Sequence, residues 1–584
     1  MQKNNFHVGK IVMRMKSGLS VVPFSIRGAG LLLFLTAVLV PWRTGAVGAW
    51  TPLAHPAPGG VQLMLLLSDG TVMAANKGGN VWYRLTPDIH GSYINGAWTT
   101  RTSMVNTRLF YSSAVLRDGR VLVAGAEYGN GWATSEVYNP STDTWTTYPV
   151  PAGLITLNNN PPPSGQSTAG FSDSGCKILA NGNVLVAPVY PVTNNATLVF
   201  NPGANTWSGG PKALASQNEA SWVKLPDDSI LTVDKSSTTS ERYIPSQNQW
   251  ANDAVVSVSL YDGFAELGAG IFLQNGKAFF LGGNGKTALY TPSGNTSPGS
   301  WATGPNIPAG LAAPDAPAAV MVNGKVLCAF GSPIYTTNIL GTNSVVFPKP
   351  TSFYEYDPIG NSFTPVTGPN GATDNISPFQ AMMLTLPDGT VLYSDYGTQL
   401  YVYTPDGSPL PAGKPTITSI TQNSDGTSHL VGTKLNGISE GAAFGDDAQM
   451  DSNYPLVRIT DGSGNVFYGG TFFWSSTSIS TGNTPVSTEF GTGLDPGTYS
   501  LVVVANGISS DPVTIFGKIW VDFSYGGSTQ DGKFASPYKT LAGGVSAVPS
   551  GGTIAIKPGL SHETMTISKP MEIIAIGGAT TIGQ

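Results

Sequence analysis

The stretch "SPFQAMMLTLPDGTVLYSD", residues 377–395, reads as two short apolar strands joined by an Asp-Gly turn, the inner strand opening at Phe379-Gln380. Asp-Gly and Asn-Gly favour two-residue hairpin loops, because their central positions tolerate the positive φ that matches the twist of paired strands. The same pattern recurs along the chain. It is seen in "SDGTVMAA" at Asp69, "RDGRVLVAG" at Asp118, "ANGNVLVA" at Asn181 and "PDDSILTVD" at Asp227. It continues in "QNGKAFFLGG" at Asn275, "NGKVLCAFG" at Asn323 and "PDGTVLYSD" at Asp388. Successive turns lie 49, 63, 46, 48, 48 and 65 residues apart. Self-similarity at such a period marks a repeat architecture.

Each unit carries a second signature. "YNPSTDTW" (138–145), "FNPGANTW" (200–207) and "YIPSQNQW" (243–250) are clear copies, and looser ones end at Trp98, Trp301 and Phe363. A third strand therefore ends in an aromatic-x-Pro turn and a fourth begins with Trp. Four strands per unit of about 50 residues make one propeller blade. The seventh unit, "YVYTPDGSPLPAG", has no Trp, whereas "WTPLAHPAPGG" begins at Trp50. Residues 50–54 are thus expected to supply the missing strand, closing a seven-bladed ring and covering its edges.

These units resemble kelch repeats, and residues 50–412 together resemble the propellers of galactose oxidase and glyoxal oxidase. The segment 413–517, with runs such as "YPLVRIT" and "GTYSLVVVANG" spaced by Gly and Asn turns, suggests a small β-sandwich. It is similar to the immunoglobulin-like early-set domain that follows the propeller in that family. In 518–584, "SPYKTLAGGVSAV" reads as a short helix, followed by the strand-like runs "GGTIAIKPG", "ETMTISKP" and "MEIIAIGG". That order is similar to the cap and first coils of a right-handed parallel β-helix. The expected fold class is all-β.

Composition agrees. Of 584 residues only 11% are charged and 41% are apolar, so the 72 Gly and 44 Pro read as turns between packed strands, not as disorder. With a net charge of −6 and no basic stripe, nucleic acid is not an expected partner. Cys176 and Cys328 are the only cysteines, so no disulfide framework or Cys-rich zinc site is expected, and both read as small buried residues. Residues 1–49 read as a signal peptide, with basic residues before "GAGLLLFLTAVLVPW" and small residues at Val47 and Ala49. The apolar run falls short of the roughly 20 residues of a spanning helix. A secreted or cell-surface protein with no membrane span after cleavage is expected.

The family resemblance implies a copper-radical site, and it can be followed position by position. The Tyr-His pair expected nine and eight residues before the last turn is Phe379 and Gln380 here. The cross-linked Tyr position in the second unit holds Phe110, with Tyr111 one place along, and the first unit has no Cys. The axial-loop His position, in "GDDAQMDSNYPLV", falls on Gly445 or Asp446. Neither Phe nor Gln offers a phenolate or an imidazole, so copper is not expected and no catalytic residue is assigned.

Eight residues before each turn an inner strand should begin near the axial channel. Those positions hold Asp173, Glu219, Asp315 and Gln380, with Glu266 nine before its turn. The loop acids Asp446, Asp447 and Asp451 are expected at the same mouth. Clustered carboxylates suit Ca²⁺, a hard cation bound by oxygen; the alternative is that they bond backbone amides or face solvent. Two functional readings follow. One is an exported, non-redox propeller that binds a carbohydrate or protein outside the cell. The other is a divergent galactose/glyoxal oxidase-like or other carbohydrate-active enzyme that uses the axial acids.

Overall fold

The apolar runs on either side of each Asp-Gly or Asn-Gly turn pair as antiparallel strands, and each pair extends outward into a four-stranded sheet. The structure, a computed structural model, describes residues 47–126, 134–151, 153–154, 172–190, 196–234, 238–264, 266–339, 342–444 and 450–583. The expected leader up to residue 46 and the acids Asp446 and Asp447 lie outside the described residues, as does the side chain of Asp173. Among the described residues no helix is long and apolar enough to cross a membrane.

Seven sheets make the propeller. The innermost strands are Val61–Leu66, Ser112–Val115, Ser172–Ile178, Val223–Lys224, Leu267–Phe272, Ala318–Val320 and Met382–Thr385. Their cores are Val, Leu, Ile, Ala and Phe, buried between neighbouring blades as in a stack of two-sided sheets. In the second to fifth blades the aromatic near the end of the third strand packs on the Trp near the start of the fourth. Ring centroids lie 5.0 Å apart for Tyr138–Trp145, 5.1 Å for Phe200–Trp207 and 5.1 Å for Tyr290–Trp301.

The last blade borrows its fourth strand. Ala49–Pro52 runs antiparallel to Tyr401–Thr404, with Trp50 opposite Tyr403. Trp50 lies 4.8 Å from the Tyr403 ring and 5.2 Å from those of Phe353 and Tyr393, and its indole N–H donates to Thr367 O at 2.6 Å. It therefore fills the seat that Trp145 or Trp301 fills in its own blade, and the ring closes by hydrogen bonds between the first and last strands of the propeller.

One sequence-based detail is corrected. Phe379 and Gln380 do not open the inner strand of the seventh blade; they lie in a single 3-10 turn, Pro378–Gln380, and the strand starts at Met382. Pro378 sets the helical φ at the first turn position, and Ser377 N donates to the Gln380 side chain at 3.2 Å.

Beyond the propeller, strands from Thr416–Gln422 to Val513–Phe516 form one large, curled antiparallel sheet around Leu430, Val457, Ile459, Val486, Leu501 and Val503. This domain sits on the face of the propeller that carries the hairpin turns. Gly70 abuts the Tyr468 ring, Thr471 N donates to Ser68 O, and Phe473 N donates to Arg117 O. From it the short strand Ala442–Ala443 descends along the axis and pairs with Ala318 and Ala319 of the sixth blade. The final segment has a parallel ladder, Ile519–Val521, Thr553–Ile556 and Glu572–Ala575, covered by the helix Leu541–Ala547. Thr540 caps that helix, its hydroxyl accepting from Gly543 N.

Candidate functional site

Because inner strands run from the free face of the propeller to the turn face, residues at or shortly before the strand starts lie toward the free mouth. Counted eight or nine residues back from the turns, these positions are Gly60, Phe110, Glu219, Glu266, Asp315 and Gln380, while Asp173 falls within the strand Ser172–Ile178. The offset of Glu266, nine residues before its turn instead of eight, has a structural cause. The register of Leu267–Phe272 against Ala278–Gly282 shifts by one between Leu267 and Gly270, a β-bulge that takes up one extra residue. Val61–Leu66 has the same irregularity. Its equivalent position is thus Gly60, where a Cβ would lie 2.5 Å from Tyr396 O, so no side chain fits there.

Three of the expected acids converge. Carboxylate oxygens of Glu219, Glu266 and Asp315, from the fourth, fifth and sixth blades, all lie within 4.8 Å of one another. Glu266 is buried and Glu219 half-buried. Glu219 and Asp315 adopt positive φ, 55° and 48°, a left-handed conformation that costs an L-residue about 1–2 kcal/mol. Asn218 donates its amide to Glu219 at 2.9 Å, and the Asp262 carboxylate accepts from Glu266 N at 3.0 Å, fixing the turn that presents Glu266. Two oxygens on one Ca²⁺, each 2.3–2.6 Å from it, lie at most about 5 Å apart. The spacing of the trio fits within one coordination sphere, and its donors are all oxygen.

Asp451 does not join them, contrary to the sequence-based expectation. It lies farther along the axis toward the turn face, where Lys177 Nζ reaches its carboxylate at 2.8 Å and that of Glu440 at 2.7 Å. Lys177 is five residues past Ser172 in its strand, and at roughly 3.3 Å per residue this is well below the mouth. Beside it Lys224 Nζ, also buried, donates to Ile178 O at 2.6 Å and to Thr477 O at 2.7 Å and pairs with Asp228 at 3.2 Å. Burial pushes the Glu440 carboxyl up, and the Lys177 ammonium opposes that rise. Tyr454 stacks on Trp474 at 4.4 Å and hydrogen-bonds Leu66 O, completing the plug. These lysines were missed in the sequence. Their signal is a single Lys in an otherwise apolar strand, "GCKIL" and "WVKL", which demands a buried partner.

The positions implied for copper hold other chemistry. Phe379 packs edge-on against Phe347 at 5.2 Å, Gln380 closes its own turn, and Phe110 has φ 53° ahead of its strand. None of the three offers the phenolate or imidazole that a copper-radical centre needs. Tyr111 is buried next to Arg108 and Glu136, and burial pushes its phenol up. Cys176 belongs to a different hydrophobic cluster, its thiol 3.3 Å from Ser113 O and pushed up to about 12 by burial. Cys328 is also a buried free thiol. The imidazoles of His55, His90 and His429 contact Gly96 O, Gly464 O and Glu489, and His562 lies in the final segment.

No family model matches the chain, and no curated protein matches it. Among solved structures, it is similar to a fungal alcohol oxidase of the AA5 family in complex with copper, at 13% identity and a TM-score of 0.46, over 80% of this chain and 98% of that one. It is also similar to a streptogramin B lyase, at 13% identity and a TM-score of 0.41, over 62% and 98%. A virginiamycin B lyase from Staphylococcus aureus gives 12% identity and a TM-score of 0.41, over 61% and 99%. At these values the likenesses carry no argument about the site.

Proposed function

We propose that the protein is an exported, non-redox binding propeller whose free axial mouth recognises an extracellular, hydroxyl-rich ligand such as a carbohydrate, with Ca²⁺ held by Glu219, Glu266 and Asp315. The observation that carries this reading is the convergence of those three carboxylates from successive blades. Like charges gathered at that distance repel unless a cation or shared protons lie among them. An all-oxygen donor set selects a hard cation over copper or zinc. A bound Ca²⁺ takes six to eight oxygens, so three carboxylates leave positions for backbone carbonyls, water or the hydroxyls of a ligand. The basic and apolar leader, with Val47 and Ala49 ahead of Trp50, supports export, and the parallel ladder of the final segment supports reading it as the start of a β-helix.

Calcium titration of the mature chain tests this. After chelator treatment, Ca²⁺ should bind at one site per chain and raise the melting temperature. A hundredfold excess over Kd should add about 2.7 kcal/mol of stability. Glu266→Gln and Asp315→Asn should each abolish the effect. A protein indifferent to millimolar Ca²⁺ would remove the cation from the proposal. Peroxide release from galactose or glyoxal by copper-loaded protein would favour the oxidase reading instead.

A further inference from the structure

A cleft of about 660 Å³ lies far from the axial mouth, between the curled sheet and the final parallel ladder. Its walls come from two segments. The sheet and its first turn contribute Gln422 and Asp425, and the final segment contributes Lys518, Trp520, Phe534 and Glu572. The volume is within the range of small-molecule and cofactor sites.

Two aromatic rings form one side. Trp520 and Phe534 meet edge to face, centroids 4.8 Å apart at 86°, and Phe534 remains 61% exposed. The Lys557 ammonium stands 4.2 Å from the Phe534 centroid, anchoring that ring in place by cation–π attraction. An exposed aromatic held rigid in this way is an amphipathic platform, costly to keep in water and suited to stacking.

The opposite side is polar. Gln422 donates its amide N–H to Ser428 Oγ at 3.0 Å, while its amide oxygen, shielded from solvent, accepts no hydrogen bond among the described residues. A buried acceptor left in that state calls for a donor. Glu572 already accepts from the Thr553 hydroxyl at 3.2 Å, and Lys518 donates to Gly426 O at 2.7 Å. Asp495, also in the lining, is paired with Lys533 at 2.9 Å, so the remaining lining charges are Asp425 and Glu572 against Lys518 alone. The surplus is acidic and disfavours anions.

We infer that this cleft binds a neutral, hydroxyl-rich ligand, an oligosaccharide stacked on Trp520 and Phe534 with its hydroxyls donating to Gln422 and the adjacent carboxylates. This second site goes beyond the axial mouth and does not depend on it. The test is titration of the full mature chain, by calorimetry and tryptophan fluorescence, with cellohexaose, laminarihexaose, xylohexaose, mannohexaose and chitohexaose. Oligogalacturonate serves as the anionic arm and an unstructured Ser/Thr-rich peptide as the polypeptide arm. At least one neutral sugar should bind and quench fluorescence. Phe534→Ala, a truncation of an exposed side chain, should weaken it about tenfold or more, and Trp520→Leu should do so as well. Gln422→Ala should have a smaller effect, and Val345→Ala, at an exposed position that lines neither the cleft nor the mouth, none. Failure of all five neutral sugars, preference for either of the other arms, or unchanged binding in both aromatic variants overturns the assignment. Sugar binding lost in Glu266→Gln but kept in Phe534→Ala would place it at the mouth instead.

Discussion

The two ends of the propeller axis treat charge in opposite ways. At the turn face Lys177 stands between Glu440 and Asp451, and Lys224 is enclosed by carbonyls and Asp228, so opposite charges are matched under the plug from the C-terminal domain. At the free mouth Glu219, Glu266 and Asp315 bring like charges together. A buried ion pair contributes little net stability, because desolvation offsets attraction, yet removing one partner leaves a stranded charge. Gathering like charges lowers stability. The first arrangement docks one domain on another; the second is the place where the proposed cation would bind.

The comparison holds only while the ring is closed, and opening it should have the largest effect. Trp50→Ala removes the indole from between Phe353, Tyr393 and Tyr403. A loss of about 3–5 kcal/mol is expected in denaturant melts, with deletion of the whole strand Ala49–Pro52 costing more. Unchanged cooperative melting of the deletion variant would contradict closure by this strand.

Next comes the matched end. Lys177→Met strands Glu440 and Asp451 and should cost about 3–5 kcal/mol. Glu266→Gln at the mouth, measured without Ca²⁺, should be neutral or stabilising by about 1 kcal/mol, since it relieves repulsion. Equal losses at both ends would dissolve the contrast.

A carboxylate away from both ends gives the smallest and sharpest check. Glu241, on a third strand, accepts from Leu214 N, Ala215 N and Gln217, yet burial outweighs these bonds and pushes its carboxyl up to about 7. The folded state then holds that proton more tightly than the unfolded state does. Its contribution is greatest below the usual carboxylate range and declines as pH rises through about 7. Melting temperature should therefore fall between pH 5 and pH 8, and Glu241→Gln should flatten that slope. A slope unaffected by this substitution would assign the pH dependence to the axis.

Much of the architecture was legible in residues that act locally. Asp-Gly and Asn-Gly set hairpin twist wherever they stand, and an aromatic-x-Pro turn delivers the next Trp onto the same blade, so blade number followed from the seven turns and the displaced strand at Trp50 from the "YNPSTDTW"-like copies that the last unit lacks. Counting back from the turns also identified the acids, because a strand has a fixed rise per residue. That counting could not tell a strand start from a turn: Ser377 and Pro378 wind Phe379 and Gln380 into a 3-10 turn through side-chain capping. It could not say which acids meet, since that depends on the neighbouring positions of three blades and on the bulge at Leu267–Gly270. Nor could it pair Lys177 with Asp451, 274 residues away, or join Gln422 to Trp520 across one cleft. Short-range sterics and hydrogen bonding are written into each unit, whereas charges find their partners only after the ring has closed and the second domain has docked, because Coulomb attraction depends on distance in space and not along the chain.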